Sequence, residues 1–397
     1  MGRILFVILI GAALSTANPA PQTFKTIEQL GNLGGSAPAV APNGDIYGTS
    51  RGAFQLTPPA QEGGHWTVVG LGVPGADLPM VPAPGGGLYV AESGNADFPG
   101  FVYLISPPSA PGGVWTQSTL YTFTGTPDGS MPDGNLILNQ DGSLYGVTGS
   151  GGQYGYGTVY QLIPPPSPGG AWSESILYSF GGSSADALGP YGLVAGAGGS
   201  LYGPAGGGVG TCGCGAVFHL TPPSAPGGAW QESIPYKFRK QAGGDTPTTL
   251  VTSPSGELYG TTVAGGASGD GTVFALTPPS APGGAWKKTT LFDFKAGRGI
   301  GPNGLVLGAD GNLYGTAARG GTKCERRTTC GTVWELIPPT SRGGKWTEQT
   351  IHIFGTGSHD GAIPIGLAVA PDGTMYGTTT QSGTNGNGGG TVFQIVP

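Results

Sequence analysis

The stretch Leu258-Tyr259-Gly260-Thr261-Thr262, followed after a glycine-rich loop by Gly271-Thr272-Val273-Phe274-Ala275-Leu276, decides the fold. Its first half returns at Leu144-Tyr145-Gly146, Leu201-Tyr202-Gly203, Leu313-Tyr314-Gly315-Thr316 and Met375-Tyr376-Gly377-Thr378-Thr379. Weaker copies stand at Ile46-Tyr47-Gly48-Thr49 and Leu88-Tyr89-Val90. The seven tyrosines are 42, 56, 57, 57, 55 and 62 residues apart. A period of this length marks a solenoid or a propeller unit.

Working outward from this motif, each full repeat holds four β-prone segments. In the third repeat they are Asn135-Leu136-Ile137-Leu138, then 143–148, then Thr158-Val159-Tyr160-Gln161-Leu162, then 172–180. The Asp141-Gly142 pair between the first two suits a tight hairpin. A glycine-rich loop, 149–157, joins the second to the third. The spacer Pro164-Pro165-Pro166-Ser167-Pro168-Gly169-Gly170 stops the third, because proline cannot donate to a ladder. The fourth segment opens with Trp66, Trp115, Trp172, Trp230, Trp286 or Trp346 in the first six repeats. Tryptophans held in register read as packing between neighbouring units.

Four antiparallel strands repeated seven times predict a seven-bladed β-propeller, an all-β fold. The seventh repeat supplies only three strands, ending at Thr391-Val392-Phe393-Gln394-Ile395-Val396, and the spare β-prone segment 24–30 precedes the first. The expectation is that this N-terminal segment completes the last blade and closes the ring, which would leave fewer unpaired edges. The rival, an open solenoid, would need terminal caps, and none is visible.

With 81 glycines and 37 prolines in 397 residues, the composition would suggest disorder if it lacked periodicity. Here these residues fall at fixed places between β-rich runs and read as turns. Only 10% of residues are charged and the net charge is −6. No basic stripe favours nucleic-acid binding. Residues 1–17 have the pattern of a signal peptide, with an apolar run from Ile4 to Ala13 and small residues placed for cleavage after Ala17. The expectation is a single exported domain over 18–397, secreted or periplasmic, monomeric, with no membrane span once the leader is removed.

Cys324 and Cys330 share one inter-strand loop, and Cys212 and Cys214 share the equivalent loop two repeats earlier. Disulfide pairing within each loop is the simplest assignment, although Cys212–Cys214 would close a very small ring. Four thiolates could in principle hold zinc, but their spacing is poor for it.

At these motifs the chain resembles the bacterial tandem-repeat proteins called GloVer-containing, the Gloeo_Verruco repeat family, whose repeat reads Leu-Tyr-Gly-Thr-Thr…Gly-Gly…Gly-Thr-Val-Phe-x-Leu. The resemblance covers nearly the whole mature chain and is specific in repeats three to seven. Repeats one and two depart from it at Gly52-Ala53-Phe54 and Val90-Ala91-Glu92. It implies an exported, propeller-like protein. The family pattern carries no established catalytic residues, so none is transferred.

In a four-stranded blade the glycine-rich loops share a face with the connectors between blades. Those connectors place an acid shortly before a proline: Asp77, Asp128, Asp186, Asp245 and Asp360. Such a carboxylate rim could hold Ca²⁺, the only cofactor considered, through several oxygen ligands, or bind a sugar; each Asp could equally cap its own turn. His359-Asp360 is the local pair with acid/base potential, beside Glu92 or Asp270 across the channel mouth. Tyr154 and Tyr156 could stack on sugar rings. Arg326 and Arg327, in a loop that also holds Lys323 and Glu325, could meet an anionic polysaccharide or protein. There is no Gly-x-Ser-x-Gly elbow, no His-Glu-x-x-His and no phosphate-binding Gly-x-x-x-x-Gly-Lys. Three readings follow: a non-catalytic propeller binding an extracellular protein, glycan or surface through its loop-bearing face; a secreted polysaccharide or antibiotic lyase or hydrolase with its site at the channel mouth; or a structural envelope component.

Overall fold

The computed structural model describes residues 22–396 except 31–35, 50–51, 62, 75–77, 95–97, 111, 168, 209–212, 226, 240–244, 282, 322–329, 342, 357–359 and 382–388. The strands form seven antiparallel sheets around one axis. In blade three the order from axis to rim is Ser130–Leu138, Leu144–Ser150, Thr158–Ile163 and Ser173–Ser179. Blade seven takes Ala362–Val369, Met375–Gln381 and Thr391–Val396 from the end of the chain, and its outer strand, Thr23–Gln29, from the beginning. Thr23 pairs with Val396 and Gln29 with Thr391, so β-pairing of the two termini closes the ring.

The Leu-Tyr-Gly strand is buried because blades pack against both of its faces. Its tyrosine reaches one way, to the tryptophan that opens the next blade's outer strand. The pairs Tyr47–Trp115, Tyr89–Trp172, Tyr145–Trp230, Tyr202–Trp286, Tyr259–Trp346 and Tyr376–Trp66 meet edge to face with centroids 5.8–6.3 Å apart. That geometry suits the quadrupoles of the rings. At the closing seam Gln22 stands where the tryptophan would be, and its Nε2 donates to Tyr314 Oη at 3.3 Å.

The glycine that follows the tyrosine in six of the seven blades, Val90 replacing it in blade two, exists because the third strand lays an aromatic ring over it. A Cβ on Gly146 would stand 2.3 Å from Tyr160 Oη, and one on Gly260 would stand 2.4 Å from Phe274 Cζ. The same rings receive the last aromatic of the preceding blade, as Phe123–Tyr160, Phe180–Phe218, Phe238–Phe274, Phe294–Trp334 and Phe354–Phe393 at 4.9–5.4 Å. Aromatic burial therefore both builds each blade and sets its angle to the next.

The inner strand of blade three begins at Ser130, earlier than the apolar run at 135–138 suggests. Ser130 still pairs with Ser150, and Pro132 with Thr148. The proline is tolerated because an inner edge needs no donor on its channel side. The residue before this proline is left-handed in five blades: Met131, Gly189, Thr246, Gly301 and Ile363 have φ between 55° and 65°. Its N–H reaches back to the previous blade, as in Ile363 to Cys330 O at 2.8 Å and Thr246 to Cys214 O at 3.0 Å. Among the described residues no helix is long and apolar enough to cross a membrane.

Candidate functional site

The inner strands enclose a central cavity of about 310 Å³. Among the described residues its lining includes Ser36, Asn135, Tyr191, Thr248 and Asn303, and no charged side chain. The two asparagines are spent on the ring itself, and the Ser36 and Thr248 hydroxyls bond to Thr49 and Thr261 of their own blades. Asn135 Nδ2 donates to Leu193 O of the next blade at 3.1 Å, and Asn303 Nδ2 to Pro364 O at 2.9 Å. Asn303 Oδ1 accepts from Thr316 Oγ1 at 2.8 Å, and Thr378 Oγ1 donates to Ser36 O at 3.0 Å across the seam between blades seven and one. Asp133 lies beside this lining, where burial raises its carboxyl although the Gly134 N–H at 2.7 Å opposes the rise.

The glycine-rich loops and the connectors interlock on one face. In blade three, Gly152 N donates to Gly125 O of the connector before it, and Gly189 N of the connector after it donates to Tyr156 O. Within the connectors the recurrent aspartates bind their own turns. Asp128 accepts from Thr124 N at 3.0 and 3.1 Å, from Thr124 Oγ1 at 2.8 Å and from Tyr121 Oη at 2.8 Å. Asp186 accepts from Gly181 N, Ser183 N and Ser183 Oγ. Asp360 accepts from Thr356 N at 2.9 Å and Thr356 Oγ1 at 2.8 Å, and its Oδ1 lies 2.5 Å from His352 Nε2. Burial works to raise the Asp360 carboxyl, but His352 and Thr356 outweigh it and hold the group below the usual range. Asp245 starts the inner strand Asp245–Thr252 of blade five.

Asp77, His359, Arg326, Arg327, Cys212 and Cys324 lie outside the described residues. Cys214 and Cys330 are buried and neither is a free thiol. Tyr154 and Tyr156 sit side by side on the loop-bearing face, 46% and 49% exposed. Their rings rest on Gly182 and Gly181 of the next connector, where an added Cβ would stand 3.0 Å and 2.4 Å from them. These glycines leave two aromatic faces half-exposed yet fixed.

The sequence reading passed over a second set of groups, at the rim. In blades three to seven the second residue after the tryptophan position of the outer strand faces the preceding blade. In blade three this is Glu174, whose carboxyl is pushed up to about 7 by burial and then by Asp128. In blade four it is Glu232, also raised to about 7, chiefly by burial, with Asp186 adding to the rise and the Ala187 N–H opposing it. Trp172-Ser173-Glu174, Trp230-Gln231-Glu232 and Trp346-Thr347-Glu348 repeat an acid within an aromatic strand; that pattern was the available signal.

The Gloeobacter/Verrucomicrobia repeat model matches residues 76–281 and again 189–397. The chain belongs to that family. No curated protein matches its sequence. Among solved structures, the PQQ-bound aldose sugar dehydrogenase of Streptomyces coelicolor is 15% identical with a TM-score of 0.50, covering 96% of this chain and 100% of that one. A glucose-dehydrogenase-type oxidoreductase of Thermus thermophilus is 17% identical, with a TM-score of 0.46 and coverage of 94% and 100%. The carbohydrate-active enzyme of family AA12 from Trichoderma reesei is 13% identical, with a TM-score of 0.46 and coverage of 94% and 99%. At such identities the likeness to the first is one of propeller fold alone.

Proposed function

We propose that this repeat protein is an exported binding propeller that engages a glycan through its loop-bearing face, without catalysing a reaction on it. The observation that carries the reading is the pair Tyr154 and Tyr156, half-exposed and seated on Gly181 and Gly182. Flat aromatic faces that are already ordered lose little entropy on meeting a sugar ring. Loops on a rigid scaffold are also where binding function usually resides. The channel mouth offers an enzyme less to work with, since the Asn135 and Asn303 amides already bond to the next blade and the Ser36 and Thr248 hydroxyls bond within their own blades.

The test is a glycan array followed by calorimetry on the best hit. Tyr154→Ala and Tyr156→Ala should each weaken binding at least tenfold, about 1.4 kcal/mol, while leaving the melting temperature unchanged. Undiminished affinity in both variants, or turnover of the bound glycan, would refute the proposal.

A further inference from the structure

The position two residues after each outer-strand tryptophan shows how a groove between blades can be filled. In blade five it is Lys288, whose Nζ lies 5.8, 6.0 and 5.7 Å from the ring centres of Tyr236, Phe238 and Phe274. In blade six it is Glu348, only 1% exposed and paired with Arg298 of the preceding connector. At the seam it is Phe24, stacked on His352 at 3.6 Å. Three grooves are thus occupied by an ammonium, a guanidinium salt bridge and an aromatic ring, all from the chain's own residues.

The groove between blades three and four combines the receiving halves of the first two. Its wall repeats Tyr236, Phe238 and Phe274 as Tyr178, Phe180 and Phe218. Its outer strand supplies Glu232, as blade six supplies Glu348. Where blade six has Arg298 four residues before the connector proline, this groove has a second acid, Asp186. A cavity of about 680 Å³ opens here, lined by Tyr178, Asp186, Trp230, Glu232 and Lys237 among others. Glu232 accepts from Ala187 N at 3.2 Å and from Tyr178 Oη at 3.4 Å.

We infer that this groove binds a cationic side chain, an ammonium or guanidinium on a flexible stem, presented by a partner polypeptide. The ligand's charge would meet Glu232 as Arg298 meets Glu348, and its stem would reach it through the cavity beside the rings of Tyr178 and Trp230. Cation–π attraction and a desolvated carboxylate then act on the same group. The inference does not rest on the reading of Tyr154 and Tyr156. Asp186, Tyr178 and Lys237 face Glu232, and of these only Lys237 opposes a second cation. Because Glu232 holds its proton up to about pH 7, uptake of a cation should expel that proton, and affinity should rise with pH.

The test is an NMR titration of the full chain with Nα-acetyl-lysine methylamide and Nα-acetyl-arginine methylamide, with the norleucine analogue as uncharged control. Both cations should bind at pH 8 and up to about tenfold more weakly at pH 6, the limit for one carboxyl that titrates at about 7, a comparison that needs no variant. Glu232→Gln should weaken binding at least tenfold at pH 8. Glu232→Lys, which reproduces the filling of the next groove, should abolish binding without lowering the melting temperature. Equal binding of norleucine, indifference to pH, or full affinity in Glu232→Gln would overturn the inference. Preference for glucosamine over both side-chain analogues would overturn the assignment to a polypeptide.

Discussion

Glu174→Gln should make the protein more stable at pH 8 and leave it unchanged at pH 5. Glu174 faces Asp128 and Tyr121 across the groove between blades two and three, and its buried Oε1 has no hydrogen-bond partner. Burial, then repulsion by Asp128, carries its carboxyl from the ordinary 4.5 to about 7. The folded protein therefore keeps a proton that the unfolded chain has released. The resulting stability is fully present below pH 4.5 and is lost as pH rises through about 7. Taken whole, the displacement corresponds to roughly 3 kcal/mol at 1.36 kcal/mol per decade. Because the side chain is only partly buried, solvent screening reduces this to about 1–2 kcal/mol. Gln keeps the shape and cannot ionise, so Glu174→Gln should gain about that amount at pH 8 and stay within about 0.5 kcal/mol of the parent at pH 5. Urea titrations of both proteins at the two pH values measure it. A gain that is equal at both pH values would mean that ionisation is not the cause, and a loss at pH 8 would refute the reasoning outright.

Phe24→Ala should cost about 2–3 kcal/mol, below the 3–5 of a fully buried phenylalanine, because Phe24 stacks on His352 but keeps some exposure; calorimetry reads it, and a loss under 0.5 kcal/mol would mean that the seam does not depend on that ring. Met131→Gly should be more stable than Met131→Ala by about 1 kcal/mol, since both lack the side chain and differ in the cost of φ 57°; the reverse order in denaturant melts would contradict the left-handed conformation. Asp360→Asn should destabilise by about 1–2 kcal/mol at neutral pH through weaker acceptance from His352 and Thr356. The depressed carboxyl gives stability that is present above its ordinary 3.8 and lost as pH falls through the folded value, so this difference should shrink in acid.

The ring, its seven blades and its closure by the N-terminal strand were legible because burial is periodic. A tyrosine that must meet a tryptophan in the next blade, and a glycine that must lie beneath an aromatic ring, leave the same letters in six of the seven copies, Gln22 and Val90 being the exceptions. The strand at Thr23–Gln29 was legible by counting, since the last repeat lacked one strand. The start of the inner strand at Ser130 was hidden because Met131 and Pro132 read locally as loop, and only pairing with Thr148 and Ser150 makes them strand. The recurrent Asp-before-Pro read as a rim of carboxylates or as a cap on its own turn, a recurrence once per repeat favouring the second, and Asp128, Asp186 and Asp360 each bond their own turn. Glu174 and Glu232 escaped notice because an acid on an outer strand ordinarily points to water. Only the twist that turns each outer strand onto the preceding blade buries them.

In a chain built from copies, function is written where the copies differ. Whatever recurs in every blade answers to packing, so the informative positions are those where one blade departs from the others while the scaffold stays the same. Across the grooves, the connector residue and the outer-strand residue read Asp128 with Glu174, Asp186 with Glu232, Arg298 with Glu348, and Asp360 with Phe24. The third pair is opposite in charge and closes on itself; the first two are alike and repel, which is a standing cost to folding. An acidic pair kept beside aromatic walls, two grooves from one that carries its own arginine, is the composition expected if the compensating charge arrives from outside the chain.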